Sequence, residues 1–179
     1  MSKPQRAEAV KLVMSVMTAT GGILPEAVQI LTENFGRPDF ISAKMPFGYT
    51  NYYEKEMGKT LIRRMISFDK LIPPESLPDV KLLTNRVEDQ FSSDGRRQIN
   101  IDPGYLSPAH LILATGKGYS HRPYLRDGIY ADLTLIFTEG MFHALSWTYP
   151  DYAGQEVMSL LNKIRKKYLQ ELKTASKEN

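Results

Sequence analysis

Apolar positions come in two periods along this chain, and the alternation of those periods sets out the elements. Val10 to Thr18 is a β-branched and methionine-rich run, bounded by Thr20-Gly21-Gly22, and it predicts a largely buried first strand. Pro25 then sits where a first helical turn accepts it, and Leu24, Val28, Leu31 and Phe35 keep one face until Gly36 stops the helix. Asp39 to Phe47 predicts a second strand. Thr60 to Phe68 alternates, placing Ile62, Arg64, Ile66 and Phe68 on one face and Leu61, Arg63, Met65 and Ser67 on the other.

Pro73-Pro74 and Pro78 mark the entry to a second helix, with Ser76 as the expected N-cap and Val80, Leu83, Val87 and Phe91 as the core stripe. Asp94-Gly95 turns the chain into a strand over Arg96–Asp102 that Pro103-Gly104 is expected to close. His110 to Thr115 and Ile129 to Phe137 follow as strands. Glu139-Gly140 is a hairpin turn into Met141–Trp147. A last helix is predicted from 153 to about 173, with Val157, Leu160, Leu161, Ile164 and Tyr168 inward, and the final residues are expected to fray.

The order β-α-β-β-α-β over residues 10 to 102 is that of a split βαβ, or ferredoxin-like, unit. The fold class read from it is α+β: one domain over residues 8–170, a mostly antiparallel mixed sheet, extra C-terminal strands and a closing helix. A chain of 179 residues buries enough surface to need neither metal nor disulfide. With no cysteine, disulfides, thiolate zinc sites and cysteine nucleophiles are excluded. The first apolar run is too short and too polar for a signal peptide or membrane span, so a cytoplasmic protein without membrane contact is expected.

The net charge is +3, and its location matters more than its size. Six Lys or Arg against two Glu from Lys163 onward make a surplus of four, which leaves the preceding chain at −1. The basic excess reads as the solvated end of a helix, where cations complement the dipole. Nucleic acid is therefore not the expected partner.

Candidate chemistry concentrates between Arg96 and Thr134. The P-loop pattern fails at Gly116-Lys117, where Leu111 occupies the first glycine position and Gly118 the hydroxyl position. No dinucleotide, zinc-protease, hydrolase or calcium-loop signature occurs, and no cofactor is assigned. What remains is His121-Arg122 in a polar connection flanked by Lys117, Tyr119, Tyr124 and Arg126, with Asp102, Asp127 and Asp132 as candidate orienters. Histidine titrates near neutrality and arginine offers a planar fork, a pairing suited to holding an anion and moving a proton beside it. The competing reading has His121 capping a turn and Arg122 pairing with Asp127 at the surface. Two further features bear on the site. An inward Arg64 has to meet a carboxylate or a bound anion, whereas an outward one sends its head to water. Lys81, Thr84, Asn85 and Glu88 make a wholly polar helical stripe, ordinarily a solvated face, and functional only where it borders a cleft.

These residues fall within blocks that resemble a bacterial family known as domain of unknown function 4416: PFGYTNYYEKEMG (46–58), RRMISF (63–68), KLLTNRVEDQF (81–91), GRRQINIDPGY (95–105), ATGKGYSHRPYLRDGIYADLTL (114–135) and WTYPDY (147–152). The family typically carries Glu where this chain has Asp132. The resemblance implies no reaction, but blocks so rich in polar identities favour a shared polar site over a bare scaffold. The expectation is a cleft that binds a small anionic molecule, phosphorylated or nucleotide-like. Its candidate catalytic residues are His121 and Asp102, and its candidate ligand-binding residues are Arg97, Lys117, Arg122, Tyr124, Lys81, Asn85, Glu88 and Arg64. The alternative is a module that binds protein or RNA through exposed tyrosines and the basic C-terminal helix.

Overall fold

The computed structural model describes residues 3–19, 22–50, 53–58 and 60–178. Tyr52 and the side chain of Glu54, which the sequence places in an aromatic corner or a pocket wall, lie outside the described residues. The elements run β1 (Val10–Thr18), α1 (Leu24–Phe35), β2 (Pro38–Ile41), β3 (Met45–Phe47), α2 (Glu54–Met57), β4 (Leu61–Ile72), α3 (Leu77–Gln90), β5 (Ile99–Leu106), β6 (His110–Thr115), β7 (Tyr124–Arg126), β8 (Ile129–Thr138), β9 (Met141–Ala144) and α4 (Gln155–Glu178). The class is α+β. All strand pairs are antiparallel, in the order β2-β4-β1-β5-β6-β8-β7, with β3 also on β4 and β9 on β8. The first four places of that order are those of a split βαβ unit.

Alternation along β1 explains the layers. Val10, Leu12, Met14 and Val16 point to one face and join Ala27, Leu31 and Phe35 of α1 and Val80 and Val87 of α3 in one core. Val13 points to the opposite face and meets Val157, Leu161 and Ile164 of α4. The sheet is therefore covered by helices on both sides. Lys11 shares the α4 face and is fully buried (0 % exposed). Its ammonium reaches Asp39 Oδ2 at 2.8 Å, the Phe68 carbonyl at 2.8 Å and Glu171 Oε2 at 2.6 Å, so the buried charge is paired and fixes α4 to β1 and β2. Arg165 of α4 does similar work further along, lying over the Phe137 ring and donating twice to the Pro108 carbonyl.

Several expectations are corrected. The predicted second strand is two short pieces, β2 and β3, both on β4. Ser76 does not cap α3; its hydroxyl donates to the Pro73 carbonyl within a 3-10 turn at Pro74–Ser76. Pro103-Gly104 does not end β5, which continues to Leu106. Pairing with β6 begins only at Gly104, so Pro103 has a partner strand on one side alone, an edge-like position where a missing N–H is tolerated. Gly104 is required by close approach, because a Cβ there would overlap the Ile112 carbonyl oxygen and the Leu113 side chain.

β8 does not keep one alternation throughout. A register shift opposite Leu111 and Ile112 leaves Thr134 unpaired, so Ile129 packs with Leu77 of α3 whereas Leu135 joins the α4 core. The two hairpin tips behave as their sequences require. Asp127-Gly128 and Glu139-Gly140 each place two successive residues at positive φ, the geometry of the two-residue turns that suit strand twist.

Candidate functional site

The polar stripe of α3 is not a solvated face. Lys81, Thr84 and Glu88 are buried. The reason lies in the sheet: from Ile99 to Pro103, β5 is paired with β1 but not with β6, so one row of its backbone groups lacks a strand partner. Glu88 Oε1 accepts the Ile101 N–H at 2.6 Å, and Lys81 Nζ donates to the Ile101 carbonyl at 3.0 Å. Two charged side chains thus replace ladder hydrogen bonds whose loss costs about 1–3 kcal/mol for each group left unpaired.

A cavity of about 590 Å³ occupies this gap between β5 and the end of β6. That volume is of the size that holds a small ligand. Lys81, Asn85 and Glu88 line it from α3, Asn100 and Asp102 from β5, Ser15 and Met17 from β1, and Leu113 to Lys117 from the end of β6. Arg97, Tyr53, Arg122 and Asp132, with Tyr149, Asp151 and Tyr152 from the stretch before α4, complete the wall. Seven of the ten residues expected at the site therefore border one hollow: Asp102, Arg97, Lys117, Arg122, Lys81, Asn85 and Glu88.

The other three do not reach it. The His121 ring is stacked on Trp147, with centroids 5.0 Å apart, and its Nε2 lies 3.7 Å from Asp132 Oδ2. Arg122, its neighbour, occupies the inner side of that carboxylate. Its Nε donates to Asp132 Oδ2 at 2.8 Å, Nη1 to the Lys117 carbonyl and Nη2 to the Tyr149 hydroxyl. Both side chains thus approach one oxygen of Asp132, and of the two only Arg122 lines the cavity. Asp127 pairs with Arg126, not with Arg122. Tyr124 is exposed on β7 against the ring of Tyr130. Arg64 donates to the Ser42 carbonyl, away from the cavity.

Arg63 takes the role considered for Arg64. It is 2 % exposed, donates from Nε to Ser15 Oγ at 2.8 Å and from Nη1 to Asp151 Oδ2 at 2.9 Å, and lies 4.4 Å over the Tyr152 ring. Alternation puts one of the two arginines inside, but which one depends on the face that α4 covers. Ser15, Asp151 and Tyr152 were likewise not singled out. The available signals were a lone hydroxyl in the apolar β1 run and the polar WTYPDY block.

The electrostatics centre on Asp102. Arg97 donates to Glu56 Oε2 and Glu88 Oε2, Arg122 to Asp132, and Arg63 to Asp151. Asp102 accepts from the Asn100 amide at 2.8 Å, and Lys81 Nζ stands 3.9 Å from its other oxygen. Its charge reaches across the hollow. Burial, reinforced by Asp102, pushes the Tyr53 and Tyr152 hydroxyls well above the usual phenol range, so both stay protonated donors. Burial also raises Glu88 and Asp151, again with Asp102 adding to the effect. Among the described residues no cluster of three or more His, Asp or Glu side chains has the arrangement of a metal site. Nor is any helix among them long and apolar enough to cross a membrane.

The family model described as a domain of unknown function (DUF4416) matches residues 8–168. The chain belongs to that family. The match spans every element from β1 into α4, and all the residues that line the cavity lie within it. No curated protein matches this DUF4416 chain. No solved structure matches it either.

Proposed function

We propose that this DUF4416 protein binds a small polar molecule carrying an anionic group, phosphorylated or nucleotide-like, in the cavity between β5 and β6. The observation that carries the reading is the gathering of Arg97, Lys117 and Arg122 with Asp102, Glu88 and Asn85 around a hollow of about 590 Å³. An anionic group is served by the guanidinium and ammonium groups, and hydroxyl or N–H groups of the same ligand by Asp102. His121 is not assigned an acid-base role, because its ring faces Trp147. Asp102 is the titratable group set between the others, and no reaction is assigned to it.

The interaction-module alternative gains no support from the C-terminal helix. Arg165 is held by Pro108 and Phe137, and Lys167, though exposed, pairs with Asp39, so two of its cations already have partners within the chain.

A thermal-shift panel of nucleotides, sugar phosphates and carboxylates tests the reading. A ligand at a hundredfold over its Kd adds about 2.7 kcal/mol, a rise of about 5–10 °C for a domain of this size. That rise is expected to vanish in Lys117→Ala and Arg97→Ala and to persist in His121→Ala, each referred to its own unliganded Tm. No shift with any phosphorylated compound, or an equal shift in all three variants, refutes it.

A further inference from the structure

The floor of the cavity holds polar hydrogen that the protein itself leaves unused. Tyr152 is 4 % exposed and lines the hollow, yet its hydroxyl, set beside Ser15, has no hydrogen-bond partner of ordinary geometry among the described residues. Arg63 lies directly behind, and its Nη2 is buried without a partner too. Ser15 Oγ accepts from Arg63 Nε and stands beside the Tyr152 hydroxyl. Buried donors left in this state cost free energy that a protein normally avoids. Two of them in one corner, one belonging to the cavity-lining Tyr152 and beside the cavity-lining Ser15, mark a place for an acceptor atom.

The neighbouring charges restrict what that acceptor is. Asp102 stands directly opposite Ser15 in the β1–β5 register, and Asp151 holds Arg63 from the other side. These charges already balance, Asp151 against Arg63 and Asp102 beside the Lys81 ammonium, so an incoming carboxylate or phosphate meets no surplus of positive charge in this corner, whereas a neutral carbonyl oxygen needs only the donors. Residues directly opposite on an antiparallel pair are close enough for one small group to touch both. Asp102 is thus placed to accept an N–H next to that carbonyl.

We propose that Ser15, Tyr152 and Arg63 form a subsite for the carbonyl oxygen of an amide or lactam group, with Asp102 receiving the adjoining N–H. This deepens the preceding reading, resting on it only in taking the cavity as the ligand site. The phosphate end lies with Arg97, Lys117 and Arg122, and the amide edge lies at the floor.

Uracil, which has the lactam edge, 1,3-dimethyluracil, which keeps the carbonyls but loses both N–H groups, and benzoate, a carboxylate, are the probes. Each is titrated into the ¹⁵N-labelled full chain while backbone amide resonances are followed. Uracil is expected to shift Ser15, Asp102 and Tyr152 saturably, with the other two probes weaker by about tenfold. Tyr152→Phe weakens uracil by about three- to tenfold while its urea midpoint stays at or above that of the parent, since the lost hydroxyl had no partner. A hydroxyl serving the fold would instead lower the midpoint. Ser15→Ala gives a second reading of the same subsite and is expected to weaken uracil to a similar degree. The proposal is overturned by uracil binding no better than 1,3-dimethyluracil or benzoate, by no probe moving these resonances, by a lowered midpoint in Tyr152→Phe, or by unchanged uracil affinity in either variant. If phosphorylated compounds stabilise the protein and uracil leaves the corner unmoved, the amide subsite alone falls. If uracil binds there and no phosphorylated compound stabilises, the anion reading alone falls.

Discussion

Replacing Asp39 by Asn tests the buried charge network that ties α4 to the sheet, and its cost can be worked from the structure. The carboxylate accepts Lys11 Nζ at 2.8 Å, Lys167 Nζ at 2.8 Å and the Ser67 hydroxyl at 2.5 Å. Burial alone would raise its pKa, but the hydrogen bonds from Lys11, Lys167 and Ser67 outweigh that and hold it at about 2 against the usual 3.8. A folded-state pKa depressed by roughly this much contributes about 2 kcal/mol of stability near neutrality. Because the folded value is the lower one, the contribution is complete above the unfolded pKa and is lost as pH falls through the folded pKa. By pH 3 roughly half of it is left. Asp39→Asn removes the charge and leaves Lys11 with Glu171 and the Phe68 carbonyl, so a loss of about 2–4 kcal/mol at pH 7 is expected. Urea unfolding at pH 7 and pH 3, at unchanged slope, reads it: the gap between parent and variant should shrink by about 1 kcal/mol in acid. A gap under about 0.5 kcal/mol at pH 7, or one that does not change with pH, refutes the reasoning. The double change Lys11→Met, Asp39→Leu should cost less than Asp39→Asn, since it removes both buried charges together.

Two further outcomes concern the cavity walls. Gly104→Ala should destabilise by about 1–3 kcal/mol or more in chemical denaturation, because its Cβ has no room against β6 and backbone does not yield cheaply. Glu88→Leu should cost about 3 kcal/mol through an orphaned Ile101 N–H and a less compensated Lys81, and hydrogen exchange at the Ile101 amide should accelerate well beyond that of the opposite strand; an unchanged Ile101 amide would show that Glu88 does not stand in for the missing ladder.

The α+β class, the split βαβ opening and the hairpin at Glu139-Gly140 were legible in the chain, because they follow from local rules: periods of 2 and 3.6, and turns that need positive φ; the hairpin at Asp127-Gly128 was not, because β7 is only three residues long within a polar connection. The inward faces of α1 and α4 follow from the same periods. Local rules did not reach the length of β5, since Pro103 is tolerated only because a neighbouring strand is missing at that point. They did not identify the bulge at Thr134, which exchanges the faces of β8 with no mark in its alternation.

The candidate site divides along the same line. Residue types together with the family resemblance nominated Asp102, Arg97, Lys117, Arg122, Lys81, Asn85 and Glu88, which border one hollow, and also His121, Tyr124 and Arg64, which do not. Composition cannot say whether a polar stripe faces water or a gap in a sheet, and Lys81 and Glu88 are buried because unpaired β5 backbone awaits them. Nor can alternation choose between Arg63 and Arg64, or between His121 and Arg122, when both members of each pair are polar. That choice is made by contacts far apart in sequence: Asp151 and Ser15 draw Arg63 inward, and Trp147 takes the ring of His121 away from the cavity. Periodicity assigns a face to each residue, whereas only the packing of distant segments determines what that face meets.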